Sequence, residues 1–572
     1  MASRSKNARP HASHQPSRRQ LLKGLGALGI GTAIFQRALA AQAQQAQTVT
    51  PEMVKQAEWI AGLSLSEEDR KTTAQSLQRL LQGFKTIREI KLDNGVPAAL
   101  SFNPAPWQVA TAGQGRGCVT PLEQLAPKRS DSVDTLAFMP VSELAALLRT
   151  RQLSSVELTK IYLQRLRQFD PILRCVVTYT EELALKQAEQ ADREIAAGRY
   201  RGPLHGIPWG AKDLIAYPGY RTTWGAAPFR DQILHVKATV AQRLEDAGAV
   251  LVAKLSLGAL AMGDKWFNGM TRTPWNSKLG SSGSSAGSAA ATAAGLVGFA
   301  IGSETLGSIV SPSRMCGTTG LRPTFGRVSR YGCMSLAWSM DKLGPLTRSV
   351  EDCALVLGAI HGADGLDPSA VDRPFTWPAA RDIRSLRVGY VEGATPARER
   401  KELEVLRDLG VKLVPIKLPQ KQNMWAMTLI LDAEAATLFD DITRQGITEG
   451  LNSWPNTFRA GQFIPAVEYL RANRVRTLMM HEMEEVMSQV DLYVGGNDLL
   501  LTNLTGHPTL ILPNGFQKRG DTEMPVMLTF TGRLYGEAEL LAVGHAYQQA
   551  TGFHLRRPPM EKLTVSKEAG KT

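Results

Sequence analysis

The stretch GSETLGSIVSPSRMCGTTGLRPTFGRVSRYG, from Gly302 to Gly332, carries more information about this chain than any other. An apolar run at residues 298–302 leads into it and is typical of a buried strand. A tight, glycine-containing turn follows and ends in Ser308. A serine held on such a turn exposes its hydroxyl, so Ser308 is a candidate nucleophile.

The same turn offers several backbone N–H groups close together, and an oxyanion hole needs such groups pointing at one oxygen. The candidate donors are the amides of Thr305, Leu306, Gly307 and Ser308. A glycine-rich turn without any chemistry has the same local pattern, and these residues taken alone favour that simpler interpretation.

Two further polar residues stand out upstream. Ser284 begins SSAGSAAATAAG, and Lys212 lies in GPLHGIPWGAKDL. A serine hydroxyl is a poor nucleophile until a base takes its proton, and a buried lysine can be that base. Because the pKa of lysine is ordinarily about 10.4, burial must lower it for that role. A hydroxyl both donates and accepts, so Ser284 can relay the proton. A lone Lys212–Asp213 pair is otherwise more often a surface ion pair.

Taken together, these blocks resemble the amidase signature family over residues 135–556. The matching text is GPLHGIPWGAKD, then SGSSAGSAAATAAG from Ser282, then the Gly302–Gly332 block. The closing stretches Asn503–Pro508 and Ala546–Thr551 match as well.

The resemblance implies a Ser–cis-Ser–Lys triad. In that triad Ser308 is the nucleophile, Ser284 the bridging serine after a cis peptide, and Lys212 the base. Ser285 is expected to support them from behind. The resemblance implies that neither a metal nor a cofactor takes part.

The chain departs from the family pattern at three positions of the nucleophile block. Glu304 replaces an aspartate, Leu306 a glycine and Val310 an arginine, while Arg314 follows four residues later and can restore a charge. The triad is untouched by these changes. Leu306 can narrow the acyl side of the site, so the particular amide does not follow from the resemblance.

Helical and strand patterns alternate from about Thr135, which favours an α/β fold. The expected architecture is a large mixed, twisted β-sheet flanked by helices on both faces, with an N-terminal helical extension. Predicted helices cover 141–149, 154–168, 181–197, 238–247, 350–360, 397–409 and 537–550. Predicted strands cover 175–178, 250–253, 298–301, 388–390, 411–415, 492–494, 509–512 and 526–530.

Residues 1–43 are predicted to be a twin-arginine (Tat) signal peptide. SRRQLLK, residues 17–23, is followed by a short Gly/Ala-rich apolar run and by small-residue cleavage sites after Ala40 and Ala43. We therefore expect export to the periplasm or medium, with no stable membrane span after processing. Residues 44–134 are predicted to be a helical extension and linker, 135–560 the amidase signature domain, and 561–572 a disordered tail.

The net charge of +13 is not a nucleic-acid signal, because residues 1–43 supply seven of the positive charges and no acid. The remaining excess is spread thinly, so no nucleic-acid partner is expected. Five widely spaced cysteines predict buried, unpaired side chains and neither a disulfide framework nor a zinc site. The sequence leaves a homodimer open.

Three other kinds of site are less well supported. Gly283–Gly287 fits the G-x-S-x-G nucleophile elbow, with His507 or His545 as base, but a polar loop precedes it instead of a strand. The run 302–308 lacks the lysine of a phosphate-binding loop. His481-Glu482 lacks the second histidine of a zinc protease.

We therefore expect a hydrolase that cleaves a carboxylic amide to an acid plus ammonia or an amine through an acyl-serine. The alternatives are the glutaminase subunit of a tRNA-dependent amidotransferase, an esterase of the same fold, and a catalytically silent binding protein. The twin-arginine pattern opposes the cytosolic amidotransferase. Trp266, Phe267 and Trp425 suggest an apolar acyl group.

Overall fold

The computed structural model describes residues 48–91, 99–107, 117–122, 128–392, 397–419, 424–496 and 498–563. The predicted signal at 1–43 and most of the predicted tail at 561–572 lie outside these residues. The chain forms two compact units, one up to Gln82 and the other from Gly83. The first contains helix Pro51–Ala57 and the beginning of helix Glu67–Glu89, so a helical N-terminal region is present.

Helices of the second unit surround a large sheet. They are Val133–Phe138, Val141–Arg149, Ser155–Leu173, Glu181–Ala196, Thr239–Asp246, Ala286–Ala293, Val310–Cys316, Val350–Ile360, Lys401–Asp408, Leu429–Leu438, Asp440–Arg444, Trp454–Gly461, Ala466–Gln489, Leu499–Thr505 and Glu537–Thr551. Several begin at serine caps of the expected kind. Ser154 accepts from the Glu157 amide at 3.0 Å, for example, and Ser349 accepts from the Asp352 amide at 3.1 Å.

The sheet has eleven strands. In chain order they are β1 (Val176–Tyr179), β2 (Pro208–Lys212), β3 (Val250–Leu255), β4 (Phe299–Glu304), β5 (Thr319–Arg322), β6 (Lys342–Thr347), β7 (Arg387–Val391), β8 (Lys412–Ile416), β9 (Leu492–Val494), β10 (Thr509–Arg519) and β11 (Thr522–Gly532). Their spatial order is β1-β3-β2-β4-β6-β5-β10-β11-β9-β7-β8. The sheet is mixed, since β2 runs parallel to β3 and β4 whereas β4 and β6 are antiparallel.

This topology brings chemistry-bearing residues to one edge of the sheet. Strands β2, β4 and β5 all point the same way, because β6 lies antiparallel to both β4 and β5. Their last residues are Lys212, Glu304 and Arg322, and Lys342, the first residue of β6, pairs with Glu304. Four charged residues therefore meet where an α/β sheet usually places its site.

Both faces of the sheet are covered. Successive side chains of a strand point to opposite faces. Phe299 and Ile301 belong to one hydrophobic cluster, which also contains most of helix Val350–Ile360. Ala300 belongs to a second cluster, which contains apolar residues of helix Ser155–Leu173. The expected sheet with helices on both faces is confirmed.

All the predicted strands, and the helices predicted at 141–149, 154–168, 181–197, 238–247, 350–360 and 537–550, are present with ends shifted by a few residues. In the predicted 397–409 segment the α-helix covers only Lys401–Asp408, after a short 3-10 turn. Strands β2, β5 and β6 were not predicted, nor was helix Ala466–Gln489. All five cysteines are unpaired as expected, but Cys118 is exposed and Cys333 is only half-buried. The prediction of five buried thiols is therefore wrong at these two positions.

Candidate active site

Lys212, at the end of β2, is completely buried and surrounded by serines. Its Nζ lies 2.8 Å from Ser284 Oγ, 3.0 Å from Ser285 Oγ and 2.8 Å from Ser303 Oγ. The carbonyl oxygen of Ser303 is 3.3 Å away. Lys212 makes no ion pair with any described residue, so its amine is held by hydroxyl groups and one carbonyl.

The hydrogen bonds of Ser285 decide how the lysine amine is oriented. Ser285 Oγ donates to the Ser303 carbonyl at 3.0 Å and accepts from the Ser303 amide at 3.1 Å. Its one hydrogen is therefore used, and Lys212 must donate to it. A neutral amine has two hydrogens and one lone pair. If Ser303 Oγ takes the second hydrogen, the lone pair is left for the hydroxyl of Ser284.

Burial lowers the pKa of Lys212 to about 7, and the nearby charges of Asp341 and Glu304 raise it only in part. Removing a charged amine from water favours its neutral form. A substantial fraction of Lys212 is therefore deprotonated near neutral pH, as a proton acceptor requires.

The Gly/Ser-rich segment brings Ser284 and Ser285 against the sheet edge. The peptide between Gly283 and Ser284 is cis, as the family resemblance implied. Helix Ala286–Ala293 begins directly after Ser285. Gly302 of β4 allows this approach, because a Cβ there would lie 2.7 Å from Ser285 Oγ.

Ser308 lies on the turn after β4, and the residue is 7% exposed. Its carbonyl accepts from the Ser285 amide at 3.1 Å, which fixes the turn against the Gly/Ser segment. Gly307 has a φ of +88°, a conformation that glycine adopts freely. The described contacts include no hydrogen bond between the hydroxyls of Ser284 and Ser308.

The predicted oxyanion donors lie on this turn. Among the described residues, no acceptor faces the backbone N–H groups of the four residues concerned, which are Thr305, Leu306, Gly307 and Ser308. Buried amides are normally paired. Unpaired amides beside a candidate nucleophile are therefore available to a substrate oxygen.

Glu304 clamps the turn from behind. One carboxylate oxygen accepts from the amides of Ile309 and Val310 at 2.8 and 3.0 Å, at the start of helix Val310–Cys316. The other accepts from Arg322 at 2.7 Å and from Asn503 at 2.8 Å. Burial raises the pKa of Glu304, but the charges of Arg322 and Lys342 outweigh it and bring the pKa to about 2. Only the backbone of Val310 is used, so the absent arginine leaves this clamp intact.

Lys342 and Asp341 support the other side of the turn. Lys342 Nζ donates to Asn503 Oδ1 at 2.6 Å, and burial, reinforced by Arg322, lowers its pKa well below the ordinary value. Asp341 accepts from the Thr305 hydroxyl at 2.5 Å and from the Leu336 amide at 2.7 Å. The nucleophile turn is therefore fixed by side chains on both sides.

The sequence interpretation missed Ser303, Asp341 and Lys342. Ser303 directly precedes Glu304, but a serine inside a strand carries no signal of its own. The charged pair Asp341-Lys342 at the start of an apolar strand was the available clue to a buried charge. Arg314, considered as a substitute charge, lies on the surface.

The structure gives no support to the rival sites. The strand before Ser284, Asn276–Gly280, belongs to a small two-stranded sheet rather than to the main one. His507 is buried against Thr505 at 2.8 Å, and His545 packs on the ring of Trp377. No group of three metal-ligating side chains occurs in the described ranges. No helix of these ranges combines the length and apolar character that a membrane crossing requires.

The sequence pattern of the Amidase family matches residues 157–496, which include the whole serine–lysine cluster. The chain belongs to the amidase family. This amidase is 37% identical over 487 residues to the A-type subunit of glutamyl-tRNA(Gln) amidotransferase from Chloroflexus aurantiacus, covering 74% of this chain and 99% of the relative.

Among solved structures, the amidase resembles native peptide amidase from Stenotrophomonas maltophilia, with 31% identity and a TM-score of 0.65 over 74% of this chain and 98% of that one. It also resembles an amidase family protein from Bacillus anthracis, with 25% identity and a TM-score of 0.65 over 75% of this chain and 93% of that one. The fold and the hydrolase family are thus shown together.

Proposed function

We propose that this amidase hydrolyses a carboxylic amide to an acid and ammonia or an amine, through an acyl intermediate on Ser308. The observation that carries the proposal is the environment of Lys212, which is buried among hydroxyl groups and has no carboxylate partner among the described residues. A lysine in these surroundings is a base near pH 7 and has a serine hydroxyl at its lone pair.

In the first half of the reaction, Ser308 Oγ attacks the amide carbon. Its proton passes to Ser284, and Ser284 gives its own proton to Lys212. The backbone amides of the Leu306–Ser308 turn stabilise the negative carbonyl oxygen. Apo structures often show the catalytic hydrogen bonds longer than they become with substrate, so the Ser284–Ser308 contact is expected to close on binding.

In the second half, the proton returns from Lys212 through Ser284 to the leaving nitrogen, and the C–N bond breaks. Ammonia or amine departs and leaves an ester on Ser308. Water then attacks that ester with the same relay as base, which releases the carboxylic acid and restores the serine. Each step uses only groups that the fold already brings together.

The replacement Ser308→Ala tests the proposal. We expect loss of hydrolysis across a panel of butyramide, benzamide, an anilide and an amidated dipeptide, with the unfolding transition unchanged. Ser488→Ala, at an exposed serine, is the matched control. Mass spectrometry of rapidly quenched wild type should find the acyl adduct on the peptide that contains Ser308. Activity in Ser308→Ala close to that of wild type would remove the nucleophile.

A second candidate is the glutaminase function of such an amidotransferase, favoured by the identity to the Chloroflexus aurantiacus protein. It predicts that glutamine is the preferred amide and that hydrolysis depends on partner subunits. Ammonia release from glutamine and from the amide panel by the isolated chain distinguishes the two functions. An ester panel assayed in parallel tests the esterase alternative.

We also propose export by the Tat pathway. The support is the twin-arginine segment at residues 17–23 and the small-residue sites after Ala40 and Ala43. Replacing both Arg18 and Arg19 by lysine should retain the chain in the cytoplasm. N-terminal sequencing of the exported protein should give a first residue of Ala41 or Gln44.

A further inference from the structure

A cavity of about 730 Å³ lies beside the catalytic cluster and is lined by none of its residues Lys212, Ser284 and Ser308. The loop 330–339 forms much of its wall. Its volume falls in the range of sites for small organic molecules, roughly 300–1,000 Å³. The proposed amide hydrolysis leaves this cavity without a role.

The cavity wall includes a buried carboxylate. Glu434, on helix Leu429–Leu438, is 4% exposed. Its oxygens accept from the Ser339 amide at 2.9 Å, the Ser339 hydroxyl at 2.6 Å and the Tyr469 hydroxyl at 3.0 Å. No Lys, Arg or His of the described chain forms an ion pair with Glu434, and Arg476 donates to Ser339 instead. An enclosed carboxylate without a counter-ion is costly, so a bound cation offsets a real penalty.

The other charges on the wall compensate each other. Arg330 donates from Nε and Nη2 to the two oxygens of Asp367 at 3.0 and 3.2 Å, and to the Ser369 hydroxyl at 2.7 Å. The guanidinium of Arg330 is therefore already satisfied, and the lining carries a net negative charge at Glu434.

Aromatic rings surround this charge. Trp338 and Tyr331, at the rim, are 46% and 39% exposed, and Tyr469 and Tyr535 line the interior. Burial, reinforced by Glu434, raises the pKa of Tyr469, so its hydroxyl stays protonated and donates to the carboxylate. Faces of Tyr and Trp attract cations as well as apolar groups.

We propose that this cavity binds an organic cation, an ammonium or guanidinium group carried on an aromatic or aliphatic body. The charged end meets Glu434 and the ring of Tyr469, and the apolar body lies against Trp338 at the rim. A carboxylate of the same shape is disfavoured, because it would face Glu434.

The test is calorimetric titration of the full chain at pH 7 with three matched probes. These are 2-phenylethylammonium, neutral 3-phenyl-1-propanol and the anion 3-phenylpropanoate. We expect the ammonium to bind most tightly and the carboxylate at least about tenfold more weakly than the ammonium, since both Glu434 and the ring faces favour positive charge. Equal or tighter binding of the carboxylate, or no binding of the ammonium, overturns the proposal.

Variants locate the binding. Trp338→Ala should weaken ammonium binding several-fold, whereas Trp425→Ala, at a 74% exposed tryptophan outside the cavity lining, should leave it unchanged. Glu434→Gln should remove the preference for the cation, and Glu449→Gln, at an exposed residue, should retain it. Because Glu434 is buried, the tryptophan pair decides the matter should Glu434→Gln fail to fold. Equal effects of the two tryptophan variants contradict the site.

Binding is measured without turnover, so its outcome is separate from that of the proposed hydrolysis. The Ser308→Ala variant should bind 2-phenylethylammonium as tightly as wild type. Loss of binding in Ser308→Ala would instead place the cation in the active site as an amine product, and would also overturn the proposal.

Discussion

Two lysines end neighbouring parallel strands of this sheet in opposite surroundings. Lys212 and Lys254 are both 0% exposed and lie on the paired strands β2 and β3. Lys254 forms an ion pair with Asp213 at 2.7 Å and also donates to the Thr222 hydroxyl at 3.0 Å. Lys212 has only hydroxyls and a carbonyl around it among the described residues.

The comparison teaches that burial alone does not distinguish a structural lysine from a reactive one. A buried ammonium with a carboxylate in contact is part of an ion pair, and removing either partner exposes the other to a large penalty. A buried amine among hydroxyls has no such partner and gives up its proton readily. One residue, Asp213, separates the two cases, since it follows Lys212 in sequence yet pairs with Lys254.

The largest expected effect is the loss of the base. Lys212→Met should lower kcat about 10²–10⁴-fold, because general-base catalysis contributes that much. The variant should remain folded, since no buried counter-ion loses its partner. Steady-state kinetics and thermal unfolding of the same preparation check both statements. Unchanged kcat would show that Lys212 is as structural as Lys254.

The matching replacement at the other lysine should act on stability. Lys254→Met leaves Asp213 buried without its partner, which typically costs about 3–5 kcal/mol of unfolding free energy. The residual kcat per folded molecule should remain far above that of Lys212→Met. Denaturant unfolding followed by tryptophan fluorescence measures the loss. A fully stable Lys254→Met protein would contradict the structural role of the pair.

A third prediction concerns pH. Because the pKa of Lys212 is about 7 and the base acts only when neutral, kcat should rise with pH through about 7 and then level off. Below that pH it should fall about tenfold per unit. A flat profile between pH 5.5 and 8.5 would break the link between Lys212 and the reaction.

Ser303→Asp makes the surroundings of Lys212 resemble those of Lys254. The new carboxylate favours the ammonium and should raise the apparent pKa of the pH–rate profile by about 1–3 units. Ser303→Asn has nearly the same size without the charge and is the control. An equal midpoint in the two variants would show that the hydroxyl cage does not set the pKa.

The smallest effect should come from a charge that acts without contact. Asp341 and Glu304 raise the pKa of Lys212 against the effect of burial. Asp341→Asn should therefore lower the kinetic midpoint by less than about one unit, a shift that corresponds to about 1.4 kcal/mol or less. A midpoint that moves upward would reverse the sign of this interaction.

The sequence was sufficient for the fold class and for the three triad positions, because long ordered motifs carried both. It was insufficient for β2, β5 and β6. These strands are short and contain glycine or proline, as in PWGAK and KLGPLT, so they lack the alternation that identifies a strand.

The residues around the triad were missed for a different reason. Ser303 lies 91 positions from Lys212 along the chain, and only the parallel pairing of β2 with β4 brings them together. Likewise, the ion pair of Asp213 with Lys254 depends on the register of β2 and β3. Contacts between strands that are distant in sequence follow from topology, which local patterns do not contain.

The hydroxyl of Ser285 has one more consequence. The pairing of β2 with β4 reaches only Ala211 and Ile301, and beyond it Ser285 Oγ serves both the amide and the carbonyl of Ser303. A single side-chain oxygen thus replaces a missing rung of the sheet, and the gap it spans is where the lysine amine resides. Inactivity of a Ser285→Ala protein would therefore be ambiguous between unzipped backbone and lost chemistry, and an amide-exchange measurement on β4 would be needed to interpret it.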